Sequence, residues 1–181
     1  HQVCKGEGSG RGNGAQVPYG SYQTLGNLRI HFEDHAAASD YRRELDLETA
    51  IARVSYRIGD TRFTREVFVS AQAQALVVRL TADQPGKLSF TATLDREERA
   101  TTTAMPRGHL VMSGQLSDGK GGGGMKFIAR LRVMQEGGRL VPSAGAVRVR
   151  RANAATLLLT AATDYHGSLY ERISDEQLRA A

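Results

Sequence analysis

Tryptophan is absent from the 181 residues, cysteine occurs once, proline four times, and lysine only at positions 5, 87, 120 and 126. Each shortage excludes something. The lone Cys4 allows no internal disulfide framework and no multi-cysteine zinc site, and it leaves the redox compartment open. No apolar run approaches the roughly 20 residues that a membrane-spanning helix needs. The chain starts at His1 without Met and carries no recognisable secretory leader, so localisation stays open. Surface platforms that stack on sugars favour aromatic faces, Trp above all; with aromatics at 6%, an independent sugar-binding role is disfavoured.

What is present fits an ordinary globular composition, 40% hydrophobic and 24% charged, and the length is enough to bury roughly 70% of the unfolded surface. Twenty-four basic against 19 acidic residues give a net charge of +5. That excess does not read as a nucleic-acid footprint. Twenty of the 24 cations are arginines, dispersed and interleaved with acids as in Tyr41-Arg42-Arg43-Glu44-Leu45-Asp46, and the one dense cluster is Arg148, Arg150 and Arg151. A phosphate-tracking surface needs a contiguous patch with exposed aromatics. The charges read instead as solvated strand faces, with neither nucleic acid nor membrane as partner.

Most of the chain alternates with period two, the mark of strands with one buried face. Leu28, Ile30 and Phe32 share one face, and Ala52, Val54, Tyr56 and Ile58 another. Gly59-Asp60 then fits a two-residue type II′ hairpin before Phe63, Val67 and Val69 resume the pattern. Leu76 to Leu80 is nearly continuous in apolar residues and predicts a central strand. Asp83-Gln84-Pro85-Gly86 turns the chain into Leu88, Phe90, Ala92 and Leu94. Further strands are predicted over 110–112, 125–133, 147–149 and 156–160. About ten short strands with turn chemistry between them predict an all-β, antiparallel β-sandwich, supersandwich-like. Helix is scarce: Ser174-Asp175-Glu176-Gln177 reads as a capping box, which starts a helix at Ser174 that ends almost at once at Ala181.

The motifs that could carry chemistry are weak. Gly10-Arg11-Gly12-Asn13-Gly14-Ala15 matches G-x-G-x-x-A, but no strand precedes it and no helix follows, so a surface loop is the simpler reading. Gly119-Lys120-Gly121 lacks the Ser or Thr that a phosphate loop places after its Lys, and the glycine run reads as a long hairpin connection. His31 and His35 flank Glu33 and Asp34 without ligand spacing, as a polar strand end would. No G-x-S-x-G elbow is present. No catalytic residue, metal ligand or cofactor site is therefore assigned.

Several ordered blocks do carry a resemblance: YGSYQTLGNLRIHF (19–32), YRRELDLETAIARVSYRIGDTRFTREVFVSAQAQALVVRLTADQPGKLSFTATLDR (41–96), GMKFIARLRVMQEGG (124–138) and LLLTAATDYHG (157–167). With these the chain resembles the N-terminal β-sandwich domain of glycoside hydrolase family 95, the inverting α-L-fucosidases, a module shared with family 65-type hydrolases. The resemblance implies a non-catalytic module followed by a helical linker and an (α/α)6 barrel. The barrel would carry the acid Glu, and an Asn base assisted by Asp, beyond Ala181. The expected organisation is a glycine-rich mobile segment at 1–18, the sandwich at 19–167 and the start of the linker at 168–181. The partners it implies are the catalytic barrel of the same protein and, for the intact enzyme, a fucosylated glycan. Family members also have strands upstream, including a W-x-x-A-L-P-I-G-N-G-type opening absent here, so the sandwich is expected to lack edge strands. The resemblance also leaves room for a periplasmic or secreted parent protein.

Within the module, the loop Tyr19-Gly20-Ser21-Tyr22-Gln23-Thr24-Leu25-Gly26 precedes a strand. The Gln23 amide both donates and accepts, the right chemistry for sugar hydroxyls or a neighbouring domain's backbone. Gln23, Tyr22 and Tyr19 are the candidate substrate-binding or interface residues; the bland alternative is a turn whose tyrosines cover the core edge. The rival function is a free-standing carbohydrate-binding or adhesion-type sandwich.

Overall fold

The chain forms twelve strands in the computed structural model, which describes residues 24–33, 35–118, 122–166 and 170–180. They are β1 (Asn27–His31), β2 (Ser39–Asp46), β3 (Ile51–Ile58), β4 (Thr61–Ser70), β5 (Ala75–Ala82), β6 (Leu88–Asp95), β7 (Ala100–Met105), β8 (His109–Ser117), β9 (Gly123–Glu136), β10 (Arg139–Ser143), β11 (Ala146–Ala152) and β12 (Ala154–Thr163). One helix, α1 (Tyr170–Ala180), follows. The strands form two antiparallel sheets facing each other, the sandwich that the alternation predicts. One has eight strands in the order β2-β3-β4-β5-β12-β9-β8-β7, the other four in the order β1-β6-β11-β10.

The core lies between the sheets. Leu80, Leu110, Leu131, Val133 and Leu157 of the large sheet are fully buried, as are Leu88, Ala92, Val147 and Val149 of the small one. β5 is central, as its apolar run predicts, paired to β4 and β12. The Asp83–Gly86 turn does not close a hairpin; it carries the chain from the large sheet into β6 of the small one. Gly59-Asp60 does close a two-residue hairpin, with Ile58 opposite Thr61. Gly59 takes φ +55° and Asp60 has no positive φ, which suits the first position of a type II′ turn.

Three strands escape the period-two reading, each for a physical reason. β2 is charged on one face and uncovered on the other, β7 is the weakly apolar Ala-Thr-Thr-Thr-Ala-Met, and β10 carries Pro142. Phe32 lies just past the end of β1, and Val69, placed in the alternation, is 69% exposed.

The capping-box expectation is overturned. α1 begins at Tyr170, and Ser174 sits inside it, fully buried. Its carbonyl and hydroxyl meet the Thr160 hydroxyl at 2.9 and 3.1 Å. Gln177 does not reach back to Ser174; its amide donates to Gln74 at the β4–β5 turn. Tertiary packing decides this: Ser174 and Leu178, four residues apart, are buried where α1 packs on β12 and β9, whose outward Leu158 and Ile128 are buried too.

Candidate functional site

The candidate residues Tyr19, Tyr22 and Gln23 lie outside the described residues, as do the glycine-rich segment 1–18 and residues 119–121. The structure does show what holds the next two residues. The Arg96 guanidinium donates to the backbone carbonyls of Thr24 and Leu25, the second at 3.1 Å, and lies 5.0 Å from the centre of the Phe127 ring. Gly26 follows with φ +154°, and a β-carbon there would come within 2.6 Å of the Asp95 carbonyl and 2.8 Å of the Met112 methyl. No larger residue fits that approach.

One residue on, Asn27 stands opposite Asp95 in the β1–β6 ladder. The Asp95 carboxylate accepts from Asn27 at 2.9 Å and from Arg29 at 2.5 Å. These bonds, Arg29's first, hold the Asp95 carboxyl below the usual carboxylate range. Both partners are substantially exposed, so the pair contributes little to stability and serves mainly to fix register. Beneath this corner a cavity of about 30 Å³ is lined by Leu25, Leu28, Leu94, Met112, Ala129 and Leu159, room for no more than a water-sized guest.

At the opposite end of β1 an aromatic cluster closes the core. His35 stacks on Phe32 and tilts against Phe63, with ring centres 4.7 and 4.4 Å away. Its Nδ1 lies 2.7 Å from the buried Tyr56 hydroxyl. Arg65 points inward from β4, with its guanidinium 4.2 Å from the Phe32 ring centre, and donates to the same hydroxyl at 2.7 Å. Burial pushes the Tyr56 phenol up, against the opposing pull of Arg65. Sequence reading treats His35 as a polar loop residue and misses this cluster. The signal was the Tyr56–Phe63 pair, which the Gly59-Asp60 hairpin places opposite each other.

Glu33 is paired with Arg150 of the basic cluster at 2.9 Å, which holds its carboxyl below the usual range. Among the described residues no three His, Cys, Asp or Glu side chains come together in a way that could hold a metal. On the outer face of the large sheet the carboxylates sit in an ion-pair ladder. Glu44, Arg53, Glu66 and Arg79 stand opposite one another from β2 to β5. Arg53 reaches Glu66 at 2.6 Å, and Arg79 reaches Glu136 at 2.5 Å. An open groove of about 470 Å³ between the edge strands β7 and β10 is lined by Thr102, Thr103, Ala104, Ser143, Ala144 and Gly145, hydroxyls and small residues with no titratable group. These arrangements suit recognition and packing.

Comparison with known proteins agrees with this architecture. The chain is 32% identical over 176 residues to alpha-L-fucosidase 2 of Arabidopsis thaliana, covering 83% of this chain and 20% of that protein. It is 30% identical over 184 residues to a probable alpha-fucosidase A of Aspergillus oryzae, covering 91% and 23%. The chain thus spans about a fifth of the length of these relatives. Among solved structures, a putative kojibiose phosphorylase from the human microbiome shares the fold, with a TM-score of 0.52 at 12% identity over 84% of this chain and 24% of that one. Residues 5–168 match the family described as glycosyl hydrolase family 65, N-terminal domain, and the chain belongs to that family.

Proposed function

We propose that the chain is the non-catalytic N-terminal β-sandwich of an inverting α-L-fucosidase of glycoside hydrolase family 95. In that role it braces a catalytic (α/α)6 barrel, reached through a helical linker that begins at 168–181, and shapes the barrel's substrate entrance. The reaction is hydrolysis of an α-L-fucosyl linkage: an acid in the barrel protonates the leaving oxygen while water attacks the opposite face of the ring. One observation carries the role given to the loop. Arg96 and Gly26 fix the backbone at Thr24 and Leu25, the residues that follow Gln23 in sequence. In this reading Gln23, with Tyr22 and Tyr19, contributes to the entrance next to that fixed backbone.

Replacing Gln23 by Ala in the full-length enzyme tests this. The expected result is a fall in kcat/KM on a fucoside of about tenfold, the loss of a hydrogen bond worth roughly 1.4 kcal/mol. Unchanged kinetics would remove the loop from the entrance. Titration of the 181-residue chain with fucosylated glycans separates the brace from a free-standing carbohydrate-binding module: the brace predicts no saturable binding.

A further inference from the structure

The outer face of the large sheet is charged on both sides but balanced on only one. Arg53 of β3 and Arg79 of β5 pair with carboxylates, Glu66 and Glu136. Across β8 and β9 the cations have no such partners. His109 stands opposite Arg132, and two residues along on the same face Val111 stands opposite Arg130. Arg107 sits beside this row in the β7–β8 turn and is exposed, while His109, Arg130 and Arg132 are half-buried. Among the described residues Arg107, Arg130 and Arg132 form no ion pair, and the His109 ring makes no hydrogen bond.

Arg130 carries the clearest signal. Its neighbours in the cross-strand row are Val111 and Thr160. Val111 has no side-chain acceptor, and the Thr160 hydroxyl is engaged by Ser174 of α1. The Arg130 Nε is left buried without a hydrogen-bond partner. Buried donors are almost always satisfied, so an orphan N–H on a charged group points to an acceptor from outside the described residues. The turn beside it is tightly held. Gly108 has φ +79°, and a β-carbon there would come within 2.6 Å of the Val133 carbonyl. That packing leaves Arg107 at φ +61°, a conformation that costs a non-glycine residue energy. Burial first, then Arg132, Arg130 and Arg107, lower the His109 pKa, and the neutral ring offers one N–H donor. The carboxylate within electrostatic reach of His109 is Asp175 of α1, which Arg179 already engages at 2.8 Å. The surplus of guanidiniums over this one shared carboxylate suits a dianion.

We propose that Arg130, Arg132 and Arg107, with the His109 ring, form a binding site for a tetrahedral oxyanion, phosphate either free or carried on a sugar, beside α1 on the outer face of β8 and β9. The Arg130 Nε–H donates to one oxygen, and the other cations and the imidazole N–H meet the rest. A planar carboxylate satisfies a single guanidinium fork, whereas phosphate presents oxygens in several directions, one for each group. This goes beyond the functional reading above and does not rest on it.

The test titrates the isotopically labelled 181-residue chain with sodium phosphate at neutral pH, against sodium chloride at matched ionic strength. The Arg130 Nε–H resonance, identified by its loss in Arg130→Lys, and the His109 ring resonances report on the site. Both are expected to shift saturably with phosphate and not with chloride, with affinity falling about tenfold in Arg132→Ala and in Arg107→Gly. Arg107→Gly removes the charge and the left-handed strain together, so it is expected to unfold no earlier than wild type in chloride, and its weaker binding is then not a folding defect. Equal shifts with chloride would reduce the cluster to general screening, and saturable binding unchanged by both substitutions would put the anion elsewhere; either result overturns the site. Binding by the chain that is lost in the full-length protein would mean that an acceptor of the longer polypeptide fills the cluster, and would overturn a ligand site. Glucose monophosphate compared with inorganic phosphate separates the two sources: tighter binding supports the ester as the ligand, and equal or weaker binding supports the free ion.

Discussion

His109, the first residue of β8, stands on the outer face opposite Arg132 of β9. Burial first, then the guanidiniums of Arg132, Arg130 and Arg107, hold its pKa below the usual histidine value, while the Asp175 carboxylate of α1 pulls the other way. Folding therefore favours the neutral ring. The stabilisation is fully present above the unfolded value of about 6.5 and is lost as pH falls through the lower folded value. Thermal unfolding of the wild-type chain is expected to lose more between pH 7 and 5 than that of His109→Gln, whose side chain does not titrate. Parallel pH profiles for the two proteins would contradict this account. Arg96 is the other residue whose role depends on position: it lies some seventy residues from Thr24 and Leu25 in sequence, yet its guanidinium fixes their backbone.

Elements differ in what their polar contacts contribute, and burial decides the difference. Thr160 of β12 donates to the Ser174 carbonyl inside a buried contact with α1, whereas Arg53 of β3 pairs with Glu66 on a face open to water. Thr160→Val removes a buried hydrogen bond to α1 and takes the Thr160 partner from the buried Ser174 hydroxyl, and is expected to cost about 1–3 kcal/mol, against less than about 1 kcal/mol for Arg53→Ala. Chemical denaturation of the two variants checks the order; equal costs would mean that α1 is not docked as described. The same contact explains why sequence reading places the helix start wrongly. Ser174-Asp175-Glu176-Gln177 satisfies a local capping rule, but the sheet face under α1 is a long-range partner that local spacing does not reveal. Strands that bury one face, such as β3 and β6, announce themselves by alternation. β2 and β7 lie at the edges of the large sheet, where one side goes uncovered, and their sequences lack that contrast. Of the candidate site, Tyr19, Tyr22 and Gln23 are proposed from composition alone and lie outside the described residues. The Arg96 clamp and the Phe32–His35–Tyr56–Arg65 cluster are not legible in the sequence, because each joins residues that only the sheet pairing brings together.

For the whole molecule, the apolar interior is that of an ordinary sandwich, and the unusual features lie at its margins. The large sheet has twice the strands of the small one, β1 pairs only with β6 among the described residues, and the backbone is fixed at Thr24 and Leu25 just before β1. On the outer face of the large sheet Glu44, Glu66 and Glu136 are tied to arginines. The role proposed for this module is to contribute position and shape to a larger enzyme whose bond-breaking groups reside in another domain. The central claim is thus a division of labour between this domain and a catalytic domain. The most direct test is fucose release from an α-L-fucoside by the purified 181-residue chain and by the full-length protein at equal molarity. The account predicts release by the full-length protein and none by the chain alone; turnover by the chain would contradict it.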